Sequence, residues 1–105
     1  MSFIVVVPHT PLHDIRTPLY RQFGDKISDI VIIYPKTILD TLEDYENLKT
    51  QTEQILPQLN GKKVALLLTG SYAAVCLVYR LLLDHRFDVI LLQYDAHRKR
   101  YLVIA

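Results

Sequence analysis

The sequence predicts an α/β fold: a Rossmann-like three-layer domain with a mainly parallel sheet in the order 2-1-3-4 and an antiparallel C-terminal strand 5 beside strand 4. Three observations carry this. Continuous apolar runs of strand length recur at Phe3 to Val7, Ile27 to Tyr34, Val64 to Leu68 and Phe87 to Gln93, as in strands buried on both faces. Segments with helical spacing separate them, and such alternation implies helices on both faces of a parallel sheet joined by right-handed crossovers. The run Tyr101 to Ile104 follows strand 4 after the short loop "YDAHRKR", which leaves room for a hairpin but not for a helix. The chain, 1–105, is read as a single domain. It has no repeat, low-complexity segment or linker.

Each element has a local reason. Strand 1 is β-branched and ends at Pro8. In "PHTPLHDIRTPLYRQFG", Thr10-Pro11 and Thr17-Pro18 each look like a helix start with proline at the first position. The segment is either a loop followed by a helix from Pro18, or one helix kinked there, and Gly24 closes it. Pro35 ends strand 2. Leu42, Tyr45, Leu48, Thr52, Ile55 and Leu59 then step at three or four along one helix face. Pro57 is expected to end the regular helix before it. The most apolar stretch, "LLLTGSYAAVCLVYRLLL" (Leu66 to Leu83), is too interrupted for a membrane span, since Thr69, Gly70, Ser71 and Arg80 fall inside it. It reads as a strand, a turn at Gly70, an N-cap at Ser71 and a helix ending near Asp84 and His85.

Half of the residues are hydrophobic, enough for a true core, and the formal charge is only +1. That charge gives no case for long nucleic acid, though a local cluster can hold a small anion. The lone Cys76 excludes an internal disulfide and is expected in the core as a small apolar residue. No basic n-region precedes "FIVVV", and that run is too short for a signal peptide. A cytoplasmic protein with no membrane segment is expected.

In doubly wound sheets the ligand crevice lies at the carboxyl ends of the strands, where the winding reverses. Here that point falls between strands 1 and 3, facing Pro8 to Asp14 and Thr69 to Ala73. Thr69, Gly70, Ser71 and Tyr72 form a glycine turn opening a helix, where free amides and the dipole attract phosphate; equally, the turn is a plain serine cap. There is no Walker lysine and no G-x-G-x-x-G. His9, Thr10 and His13 share the other loop with Asp14. His9 is either a general acid or base or a polar loop residue. His9 and His13 have a zinc-like spacing, but no third ligand is evident, so no metal and no cofactor are expected. "HRKR", with Arg98 and Lys99, is a phosphate clamp or a solvated turn guarding a sheet edge. Tyr94 and Asp95 open that loop and can meet a base or ribose. Tyr34-Pro35-Lys36 is a further contact, and Arg80 suits a surface or dimer ion pair. A serine hydrolase would need a G-x-S-x-G elbow, of which Gly70-Ser71 is a fragment.

In order along the chain, "PHTPL", "YPKTIL", "ALLLTGSYAAVCLVYRLL" and "VILLQYDAHRKRYLVI" resemble the small stand-alone ring nucleases of type III CRISPR systems, and more distantly CARF and SAVED domains. The turn "TGSYA" departs from that pattern in having a single glycine. The resemblance implies a homodimer that binds a cyclic oligoadenylate, the tetramer first, across its two-fold axis, and so damps antiviral signalling. It implies metal-independent cleavage, with the ligand's own 2′-hydroxyl attacking the adjacent phosphate and the protein supplying orientation and charge stabilisation. Thr10 and Thr69 to Tyr72 would then hold phosphates and riboses, with His9 and Ser71 as catalytic candidates. His13 and Tyr94 would add ligand contacts, and Arg98 and Lys99 would close over the ring. A non-catalytic sponge or sensor, or an interaction subunit without a ligand, are the alternatives.

Overall fold

The computed structural model describes residues 2–105. In chain order the elements are β1 (Phe3–His9), α1 (Arg16–Phe23), β2 (Ile27–Tyr34), α2 (Leu42–Leu59), β3 (Val64–Leu67), α3 (Tyr72–Asp84), β4 (Val89–Asp95) and β5 (Arg100–Ile104), with a 3-10 turn at Gly24–Lys26. The sheet runs β2-β1-β3-β4-β5. β1 is parallel to β2 and β3, β3 is parallel to β4, and β4 and β5 form the antiparallel hairpin. The α/β class, the mainly parallel sheet and the closing antiparallel strand are as the sequence predicts.

The sheet divides the core in two. On one face α2 and α3 pack Leu48, Leu56, Val78 and Leu82 against Ile4, Val6, Val64 and Leu66. On the other face the short α1 sets Ile15 and Leu19 over Val5, Val7, Ala65 and Leu67. β1 and β3 are buried along their whole length, which is why their sequences are continuous apolar runs without alternation.

Several boundaries differ from the sequence reading, each for a physical reason. β1 continues through Pro8 to His9; its ladder with β3 ends at Val6 opposite Leu66, so the proline lies past that pairing. Neither Pro11 nor Pro18 starts a helix. α1 begins at Arg16 because Asp14 Oδ1 accepts from the amides of Arg16 at 2.9 Å and Thr17 at 3.3 Å. Pro18 falls in the first turn, where its missing N–H has no helical partner to lose. α2 runs through Pro57 to Leu59. Glu53 and Pro57 are both exposed, so the turn in which the proline omits a hydrogen bond lies on the outer side of the helix. Strand 4 begins at Val89 rather than Phe87 and ends at Asp95, which places Tyr94 and Asp95 in the strand. Cys76 is exposed, not in the core, because the buried face of α3 is Ala74, Val78, Leu81 and Leu82. No helix among the described residues is long and apolar enough to cross a membrane.

Candidate functional site

The site begins at the carboxyl end of β1. His9 is buried, and its Nε2 accepts from the Ser71 amide at 3.0 Å. Its proton therefore sits on Nδ1, which lies 3.2 Å from the Lys36 carbonyl and donates to it. The loops after β1 and β3 thus meet, as the topology requires. Gly70 sits at φ +84°, and a Cβ there would overlap the His9 ring, lying 2.6 Å from Cε1. Glycine is needed here for the histidine, in addition to the left-handed turn. With both nitrogens engaged, the ring as placed has no free position for exchanging a proton with a ligand.

The polar connections continue across the edge. Ser71 Oγ accepts from the Ala74 amide at 3.3 Å and meets Tyr45 Oη at 2.9 Å. The serine is thus the N-cap the sequence suggests, and its hydroxyl bonds to a backbone amide and a phenol. Thr10 Oγ1 reaches the Tyr34 carbonyl at 3.4 Å. Beneath them Asp44 is buried. It accepts from Lys36 Nζ at 3.0 Å, from Tyr34 Oη at 3.0 Å and from the Asp40 amide at 3.0 Å, and it closes a capping box with Thr41. The hydrogen bond from Lys36 holds the Asp44 carboxyl well below the usual carboxylate range, and the same pairing raises Lys36.

Beside this network the edge is open. A cleft of about 160 Å³ is lined by His13, Asp14, Ile15, Pro18, Leu67, Leu68, Thr69, Tyr94 and Tyr101. Tyr94 and Tyr101 are cross-strand partners with ring centroids 5.1 Å apart, edge to face. Burial raises the Tyr101 phenol, with the Tyr94 and Asp14 charges adding to it. Hydrogen bonds from Thr17 hold Asp14 below the ordinary carboxylate range, so the cleft keeps one anionic wall. Pro18 is shared with a second groove of about 360 Å³, whose other lining residues are Arg21, Gln22, Lys99 and Arg100. The α3 amides of Tyr72 and Ala73 have no partner among the described residues.

The expected site residues therefore divide. Thr69, Tyr94 and His13 line the tyrosine cleft; Gly70 and Tyr72 line a neighbouring groove on the α3 side. His9, Thr10 and Ser71 are tied into the scaffold. Arg98 lines neither the cleft nor the groove that shares Pro18: its Nη1 and amide both turn back to Asp95, at 3.0 and 3.3 Å. Lys99 lies in the basic groove. Arg80 pairs with Asp84 on the surface at 3.9 Å. Sequence reasoning missed Tyr101, Arg21 and Asp44, and within "HRKR" it singled out Arg98 and Lys99 rather than Arg100. Extending the hairpin register by one pair would have set Tyr101 opposite Tyr94, and "TLED" (Thr41 to Asp44) carries the capping-box spacing. Among the described residues no three His, Cys, Asp or Glu side chains converge as a metal site.

No family model, no curated protein and no solved structure matches the chain.

Proposed function

We propose that this chain binds a cyclic oligoadenylate, the tetramer first, at the carboxyl edge of the sheet, and that two copies share one ring. One observation carries the reading: an aromatic cleft that reaches the end of β3 lies beside a basic groove between α1 and the β4–β5 hairpin, with Pro18 as a common wall. A cavity of ~150 Å³ holds one benzene-sized ring, so the open 160 Å³ cleft takes one edge of a two-ring base against Tyr94, the rest of the base remaining outside it. Base stacking on aromatic side chains contributes about 1–3 kcal/mol. Asp14 offers an acceptor to an exocyclic amine, as adenine carries. Phosphates then fall to Arg21, Lys99 and Arg100, and to the open amides of α3. The remaining nucleotides exceed this cleft, since ligand-sized pockets are about 300–1,000 Å³, and they extend onto the second copy.

Binding is the primary role, and a sponge or sensor module of type III CRISPR signalling is its simplest form. Cleavage is the second reading, because the engaged nitrogens of His9 point to orientation as its only route. In it the ligand's 2′-hydroxyl attacks the adjacent phosphorus, the 5′-hydroxyl leaves, and a 2′,3′-cyclic phosphate remains. Titration calorimetry with cyclic tetra-adenylate, beside linear tetra-adenylate and a cyclic oligouridylate, tests the binding. Tight binding of the cyclic adenylate alone is expected; equal or no binding of all three would overturn the reading. Chromatography of the recovered ligand separates sponge from nuclease.

A further inference from the structure

Helix α3 is apolar nearly all round, and in a single copy only one side of it is covered. Ala74, Val78, Leu81 and Leu82 face the core. Tyr72, Cys76, Tyr79 and Leu83 recur at spacings of four, three and four, which aligns them as a second stripe, of which Tyr79 already packs in part against the core. Tyr72 is 90% exposed and Leu83 47% exposed; Cys76 is exposed and Tyr79 half-buried. A helix with two apolar sides is normally packed on both.

The same face of the sheet is unfinished next to it. No helix follows β4, because the chain returns as β5. Leu91 belongs to the core on the α3 side. Its cross-strand partner is Ile104, and Gln93 pairs with Leu102, so these four side chains share that face. Leu102 is 38% exposed and Ile104 41% exposed. A groove of about 450 Å³, lined by Leu68, Thr69, Gly70, Tyr72, Val75, Cys76 and Gln93, joins the stripe to the strands.

We infer that a second copy of this chain covers this surface, with α3 of each copy laid over the β4–β5 face of the other about a two-fold axis. The surface is self-complementary: each copy has one helix stripe without a sheet and one half-sheet without a helix. A two-fold contact needs this reciprocity. Its exposed apolar area is on the order of 500 Å² per copy, taking large side chains at roughly 150–250 Å² each. A standard interface buries about 800 Å² per partner, of which a homodimer makes about 65% apolar, so the two figures agree. The groove ends on Thr69 and Gly70, which places the axis next to the ligand edge. The inference deepens the homodimer part of the function proposed above, but it stands on the uncovered apolar surface and not on any ligand.

Sedimentation velocity without ligand tests it. A dimer of twice the 12.2 kDa chain mass is expected at micromolar concentration. Tyr72→Arg, and separately Ile104→Lys, should weaken self-association at least tenfold while circular dichroism and thermal unfolding of the monomer stay as in the parent. Val103→Lys, on the opposite face of β5, should leave the dimer intact. A parent chain that stays monomeric at about 100 µM overturns the inference, as does a dimer untouched by both stripe and strand variants. Loss of the dimer in Val103→Lys overturns it as well, in favour of edge-to-edge pairing of β5. Because no ligand is present, failure to bind cyclic tetra-adenylate would sink the proposed function and leave this result standing.

Discussion

The carboxyl edge of the sheet has two halves built on opposite terms. Around β1, β2 and the start of α2, the polar side chains are paired: His9 with the Ser71 amide and the Lys36 carbonyl, Ser71 with Tyr45, and Asp44 with Lys36 and Tyr34. Around β4 and β5, Tyr94 is 42% exposed beside a cleft, and Lys99 and Arg100 line an open groove. A paired group resists displacement, since removing one partner leaves the other unsatisfied at about 1–3 kcal/mol. A half-open aromatic and the cations that line the groove give a ligand something to hold. The residues that look most chemical in the sequence, His9 and Ser71, thus belong to the scaffold, and the plainer hairpin and α1 residues belong to the open half.

The largest effect should come from breaking the paired half at its tightest point. Gly70→Val places a β-branched residue at φ +84° and against the His9 ring. A positive φ costs about 1–2 kcal/mol and overpacking about 1–3 kcal/mol, so urea unfolding should show a loss of about 3 kcal/mol. Gly24→Ala, at φ +58° and ψ −130° with nothing near the new Cβ, should cost about 2 kcal/mol from the backbone conformation alone. His9→Ala removes an acceptor and a donor together and should cost about 2 kcal/mol. Gly70→Ala should then cost less in the His9→Ala background than in the parent, because only the backbone cost remains once the clash is gone. Strict additivity of the two would show that they do not act through this contact. In a ligand assay His9→Ala should lower affinity and any cleavage together. A loss of cleavage of about 10²–10⁴-fold at full affinity would restore it as a proton donor or acceptor.

Asp44 sharpens the comparison through pH. Its native carboxyl titrates below the unfolded value of 3.8, first because of Lys36. The unfolded chain therefore binds a proton before the native one does. The stabilisation is complete above the unfolded value and is lost as pH falls through the lowered native one. Acid titration of the folded protein should show that loss below about pH 4, and Asp44→Asn should flatten it while lowering stability at neutral pH. Lys36 has the opposite sign: raised above 10.5, it stabilises at every lower pH, and that gain fades only as pH climbs through its native value. An unchanged acid limb in Asp44→Asn would mean that the pair is not formed in solution.

On the open side the expected effects are smaller and fall on affinity. Tyr94→Ala removes one wall of the tyrosine cleft and should weaken cyclic tetra-adenylate binding by about 1–3 kcal/mol. The edge-to-face contact with Tyr101 at 5.1 Å adds about 0.5–1.5 kcal/mol of stability that would be lost with it. Tyr94→Phe should keep most of both. Equal binding by all three proteins would move the base out of the cleft.

The sheet was legible because β1 and β3 are buried on both faces and must be apolar at every position, and because the gaps between strands set the crossovers. The switch point followed from topology alone. What stayed hidden depends on pairing across the fold. Asp14 looks like a loop acid beside two histidines, yet it caps α1 through amides only two and three residues away. Cys76 looks like core because nearly all of α3 is apolar; apolar character on both sides of a helix cannot say which side the sheet takes. His9 looks like an acid or base because its sequence neighbours leave its nitrogens free, and the groups that occupy them lie 27 and 62 positions away. The tyrosine cleft needs the exact hairpin register, and one residue of slip sends Tyr101 to the other face.

The smallest expected effect separates two arginines that the sequence places side by side. Arg98 folds back on Asp95 with Nη1 at 3.0 Å, and it lies outside the basic groove, whereas Arg100 helps to line that groove beside Arg21. An exposed pair of the Arg98 kind contributes about 0–1 kcal/mol to stability. Arg98→Ala should therefore leave affinity for cyclic tetra-adenylate within about twofold, well inside 1.4 kcal/mol. Arg100→Ala should remove one phosphate contact, weaken binding by about tenfold, and lower the salt slope of the binding constant by roughly 0.7–0.9. Calorimetry at two salt concentrations reads both quantities. If Arg98→Ala shows the larger loss and the shallower slope, the hairpin tip releases Asp95 to close on the ligand, and the clamp expected from "HRKR" displaces the groove as the phosphate site.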